Sequence, residues 1–281
     1  MSMSEPASFI DIVNHFIESE QFTLPVFNES AMRVQQETAK KEPDIKVLER
    51  IITADQSLSG QVLKIANTAF YKGLSEVSTV HAAIMRLGIK EIGNVVLLAA
   101  SKKHFNSADK RINVVMKKLW QHSVGCAYGA VWIAKRHEYG VDTSHVFFAG
   151  LLHDVGKLFI LMVVEIIKKR SSKTKITDTL LKEAMQKLHT SHGYRLMMKW
   201  NMPKKFCLVA RDHDEIEFDT KDYLLIIVRM ANLVCHKMGI GFFQDASLVL
   251  PATLEASLLN LSEIDLAELE ITLEDTRVLS S

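Results

Sequence analysis

The chain has 281 residues, 48% of them hydrophobic, and a formal net charge of +1 from 34 Lys+Arg against 33 Asp+Glu. That suffices for one large domain or two modest ones and excludes wholesale disorder. The balanced charge speaks against nucleic acid or a membrane surface as partner, since either calls for a basic face. The three cysteines, Cys126, Cys207 and Cys235, lie in apolar surroundings without CxxC spacing. They read as buried free thiols of a reducing compartment. The first residues lack the basic and apolar regions of a signal peptide, and His153, Asp154 and Lys157 interrupt the longest apolar run. A soluble cytoplasmic protein is the expectation.

Helical periodicity dominates, with 5 prolines and 12 glycines as punctuation. Ile10, Val13, Phe16 and Ile17 share one helix face. Asn28 is placed to cap a second helix from Glu29, Asp44 a third, and Ser57 a fourth. Two further helices, Val80 to Leu87 and Ile89 to Ala100, flank Gly88. Residues 106–109 read as a break, and a long helix follows from near Val114 to about Glu138. One helix is expected over 146–169, then a polar connector at 171–175 and helices near 177–200, 203–213 and 221–238. After Gly239 the Leu, Asp and Glu mixture suggests one or two peripheral helices. The prediction is an all-α fold in two helical halves that part near 106–113.

The run Leu151-Leu152-His153-Asp154-Val155-Gly156-Lys157 sets two ionisable groups inside an apolar stretch. Burying them is costly unless something satisfies them, and a divalent metal does so, since imidazole and carboxylate are its usual ligands. Other polar residues fall on apolar helix faces: His122 beside Val124 and Val131, His189 and His192 on the helix ending at Trp200, and His213 after a short helix. Asn232 shares a stripe with Leu224, Val228 and Cys235. A metal pocket inside a helical bundle accounts for the set. Hydrogen-bonded core histidines account for each member singly. His104, His137, His145 and His236 show no such pattern and read as surface or packing residues. The methionines near 197, 230 and 238 read as core filler. Phe70-Tyr71 reads either as a contact surface or as an aromatic plug between the halves.

The order His, His-Asp, His, His resembles the HD superfamily of metal-dependent phosphohydrolases, and more closely its HDOD (HD-related output domain) branch. The resemblance spans roughly residues 20–240. It rests on Leu24-Pro25, Asp55-Gln56-Ser57-Leu58, Ala66 to Tyr71 and Ala83 to Gly88 in the first half. In the second it rests on Leu119 to Ser123, Ala149 to Lys157, and His189 followed by Gly193, Trp200 and Pro203.

The resemblance implies an HDOD subdomain over 1–110, an HD-like helical core over 111–240 and a tail over 241–281. It implies His122, His153 and Asp154 as first metal ligands, and His189 and His213 as second-metal or substrate-facing residues. Lys157 would face phosphate oxygens. His192 maps to nothing in the pattern. Asn232 stands where the last carboxylate ligand belongs, and Asp214 where binuclear members carry a second histidine. Two functions follow. One is a bacterial signalling module with a degenerate site, engaging a protein partner or a nucleotide-like ligand. The other is an active phosphohydrolase using Fe, Mn, Zn, Ni or Mg, with Lys157 and His213 as catalytic groups. The site is either metallated or an empty hydrogen-bonded relic in which Asn232 donates to Asp154. Oligomeric state is not read from the sequence.

Overall fold

A computed structural model describes residues 9–18, 29–71, 73, 75–170 and 176–280. Among them the chain is all-α, with no strand. The first half comprises α1 (Phe9–Glu18), α2 (Glu29–Thr38), α3 (Ile45–Ala54), α4 (Gln56–Ala66), α5 (Val80–Leu87) and α6 (Ile89–Lys102). The second comprises α7 (Lys110–Arg136), α8 (Thr143–Leu152), α9 (Val155–Arg170), α10 (Asp178–Lys199), α11 (Lys204–Asp212) and α12 (Tyr223–Met238). A 3₁₀ turn at Leu250–Ala252 leads to α13 (Leu254–Leu258) and α14 (Glu263–Ser280). Helix α7 is the axis, with α8, α9, α12 and α14 packed around it.

The capping chemistry corrects the sequence reading in three places. Asp44 caps α3 as expected, its carboxylate accepting the Lys46 N–H at 2.7 Å. Helix α4 is capped by Asp55, which accepts the Leu58 N–H at 3.0 Å, and Ser57 lies inside the first turn. Asp109 accepts the N–H groups of Arg111 and Ile112 and starts α7 at Lys110, one turn before Val114. Asn28, Leu24-Pro25 and the 171–175 connector lie outside the described residues.

The third correction matters most. The helix expected over 146–169 is two helices, parted by a turn at His153-Asp154. His153 Nδ1–H donates to the Gly150 carbonyl at 2.8 Å. A continuous helix would offer that carbonyl to the Asp154 N–H. Glycines let the turn nest between neighbouring helices. A Cβ at Gly150 would stand 2.8 Å from the Cys126 carbonyl of α7, and one at Gly156 only 1.9 Å from the His189 carbonyl of α10. The segment Thr143–Arg170 passes for a membrane span by length and composition despite its polar residues, but 94% of its apolar window is buried within the protein. Its apolarity is therefore that of a core.

The two halves meet at Phe70 and Tyr71, which pack edge-on against Tyr128 of α7. The Tyr71 hydroxyl bonds to the Glu91 carboxylate of α6 and lies 2.5 Å from the Tyr128 hydroxyl. This pair is the aromatic plug between the halves.

Candidate metal centre

The turn brings His122 from α7, His153 and Asp154, Lys157 from α9, His189 from α10, and His213 together, each at most 4% exposed. Four histidines share one arrangement. Nδ1–H donates to a backbone carbonyl: His122 to Ile240 at 3.0 Å, His153 to Gly150, His189 to Gln186 at 3.2 Å, and His213 to Ala210 at 3.1 Å. Each ring therefore turns an Nε2 lone pair inward.

Asp154 is the hub. Its Oδ2 lies 3.5 Å from His122 Nε2 and 3.6 Å from His153 Nε2, and it accepts from Lys157 Nζ at 2.7 Å. Its Oδ1 lies 3.3 Å from His213 Nε2 and 3.5 Å from His189 Nε2. Burial opposes the charge of Asp154, but Lys157 and the surrounding histidines outweigh burial and hold its pKa well below the usual carboxylate range. Burial depresses His122 to about 4 and His153 to about 3. His213 is raised despite burial, because Asp214 and Asp154 favour its cation.

Asp214 belongs to the cluster. Its Oδ2 lies 3.1 Å from His189 Nε2 and its Oδ1 accepts from Asn232 Nδ2 at 2.9 Å. Asn232 is a buried, core-facing amide as expected, but its donor goes to Asp214 and not to Asp154. Arg229, one turn before Asn232, escaped the sequence reading. Its guanidinium donates to the carbonyls of Asp212, His213 and Glu215 and pairs with Glu255 at 2.8 Å, which fixes the loop presenting His213 and Asp214. No periodic signal marks it. Its partners become neighbours only when α11, α12 and α13 pack. His192 stays outside the site. Its ring bonds to the Leu188 carbonyl and to Asn14 of α1.

The donor set fits a cation. His153 Nε2 and Asn232 Oδ1 are buried with no hydrogen-bond partner, and Asp154 Oδ1 faces only the His213 and His189 rings, at 3.3 and 3.5 Å. His189 and His213 set their Nε2 atoms 3.2 Å apart beside two carboxylates. Converging lone pairs without a donor call for a proton or a metal ion. His122, His153 and Asp154 would hold one ion, and His189, His213 and Asp214, beside the Asn232 amide, a second. Beside them lies a cavity of about 10 Å³ for a water centre, walled by Lys157, Met185, His236, Phe242 and Phe243. His236 serves here as packing, stacked on His122 at 5.2 Å.

A helical bundle with inward-facing histidines around an adjacent His-Asp pair is the class this geometry defines. The HDOD domain model matches residues 24–216, and the chain belongs to that family. Three solved structures share the fold. An HDOD domain protein of unknown function from Geobacter sulfurreducens is 22% identical, with TM-score 0.74 over 95% of this chain and 96% of that one. A protein from Shewanella amazonensis SB2B, called a "putative metal-dependent phosphohydrolase", is 19% identical, with TM-score 0.70 over 97% and 98%. A "putative signal transduction protein" from Marinobacter aquaeolei VT8 is 20% identical, with TM-score 0.68 over 96% of this chain and 64% of that one. An uncharacterized protein of Treponema pallidum is 22% identical over 207 residues, and the aligned region spans 39% of its length.

Proposed function

We propose that this chain is a cytoplasmic bacterial signalling module whose HD-type centre holds a metal ion and hydrolyses no phosphoester. The observation that carries this is the cavity of about 10 Å³ at Lys157 and Asp154. It admits one water, whereas small-molecule sites typically offer ~300–1,000 Å³. The ammonium that would meet a phosphate is tied to Asp154 at 2.7 Å. Asn232 supplies a neutral oxygen where a carboxylate would complete the charge. A bound divalent ion in such a centre supplies Lewis acidity and a lowered water pKa. The chain's own residues orient the donors and exclude bulk water. A signalling protein or a nucleotide-like ligand is the partner this reading assigns.

The test is metal analysis of protein purified without chelator, followed by assay against nucleotides, cyclic dinucleotides and a generic phosphodiester. The expectation is bound metal without turnover. Turnover that depends on metal and disappears in Asp154→Asn overturns the reading. It would instead make Lys157 and His213 the groups that meet the substrate.

A further inference from the structure

Cys126 lies one helical turn after His122 on α7, so both point from one face into the centre. It is fully buried, and its Sγ stands 3.5 Å from His122 Nε2. His153 Nε2, buried and without a partner, completes a group whose donor atoms lie within 4.8 Å of one another. Asp154 Oδ2 stands beside that group, 3.5 and 3.6 Å from the two ring nitrogens.

We propose that Cys126 is a thiolate ligand to a metal shared with His122 and His153, and that it makes this position selective for zinc. With Zn–N and Zn–O near 2.0–2.2 Å and Zn–S near 2.3 Å, tetrahedral ligands stand about 3.4 Å (N to O) and about 3.6 Å (N to S) apart. The Cys126 Sγ–His122 Nε2 separation of 3.5 Å matches the nitrogen-to-sulfur value. Charge points the same way. The three-residue group contains no carboxylate, and the Cys126 thiolate supplies its negative charge. Binding forms an S–Zn bond and releases the thiol proton to solvent, with no change of oxidation state. A soft thiolate disfavours Mg and Mn, which prefer oxygen donors.

The proposal rests on the reading of this centre as a metal holder, but fails separately from it. Phosphoester turnover sinks that reading, whereas the sulfur ligand is read spectroscopically. Cobalt(II)-loaded wild-type protein should show thiolate-to-cobalt charge-transfer absorption in the near ultraviolet. The band should vanish in Cys126→Ser and persist in Cys235→Ser. Competition against a chromophoric chelator should show the zinc-over-manganese preference falling on the order of 10- to 100-fold in Cys126→Ser. X-ray absorption of zinc-loaded wild type should find one sulfur scatterer near ~2.3 Å, with no variant required. Absence of that sulfur, persistence of the band in Cys126→Ser, or failure to take up cobalt and zinc overturns the proposal.

Discussion

At the residue scale, the centre stores electrostatic tension that titration reads out. His122 and His153 are depressed by burial from the ordinary 6.5 to about 4 and about 3. The unfolded chain takes up protons below ~6.5 that the folded chain refuses, so these residues cost stability as pH falls from ~6.5 towards 4. The slope is at most ~1.4 kcal/mol per pH unit for each histidine. His213, raised in the fold, works in the opposite sense. Its contribution is full below ~6.5 and lost as pH rises through its folded value. Asp154 and Asp214 are depressed, so their contribution is lost only as pH falls below the ordinary carboxylate value of 3.8. Metal-free protein should therefore show a lower urea midpoint at pH 5 than at pH 7, and His122→Gln should flatten that difference. Asn232→Asp is a second test. It removes the donor to Asp214 and sets two carboxylates together, so metal-free protein should melt lower while added metal raises Tm more than in wild type.

At the element scale, the turn at His153-Asp154 depends on how closely helices approach. Gly156 meets the His189 carbonyl with no room for a Cβ. Gly156→Ala should force α9 from α10, cost ~1–3 kcal/mol or more in denaturant unfolding, and weaken metal retention. Arg229 acts across α12 and α11. Replacing it with alanine leaves Glu255 buried without its cation, and should cost ~3–5 kcal/mol. The order of helices was legible because each amphipathic face repeats at helical spacing. The split of α8 from α9 was not. It depends on a histidine side chain bonding to the Gly150 carbonyl, which no periodicity encodes. Ser57 and Asp55 are equally plausible caps by residue type, and only the backbone geometry chooses between them.

At the scale of the whole molecule, the two halves are joined by a polar link inside an aromatic cluster. Tyr71 from the first half meets Tyr128 of the second, and the Glu91 carboxylate also accepts from Asn94 Nδ2 at 3.2 Å. Tyr71→Phe removes a donor to a carboxylate, and should cost ~1–3 kcal/mol in urea unfolding without altering metal content. His153, Asp154, His122, His189, His213 and Asn232 could be found from the sequence because polar residues stand out on apolar faces. Asp214 and Cys126 could not be placed. The first lies in a loop whose course is set by Arg229, and the second is indistinguishable in sequence from an ordinary buried thiol.

The chain after α12 has a kinetic consequence. Gly239 ends that helix at φ +67°. Gly241, at φ +126°, passes so close to His122 that a Cβ would stand 2.9 Å from its Cβ. Ile240 holds the His122 ring by its carbonyl, and Phe243 lies 5.2 Å from Lys157 Nζ. The segment that orients His122 thus also walls the cavity beside it. An ion held beside His122 would have to pass 240–243, so its release should follow the rate of local opening of that segment and not the free ion concentration. Occupancy in such a centre would keep a memory of the metal present when the chain folded.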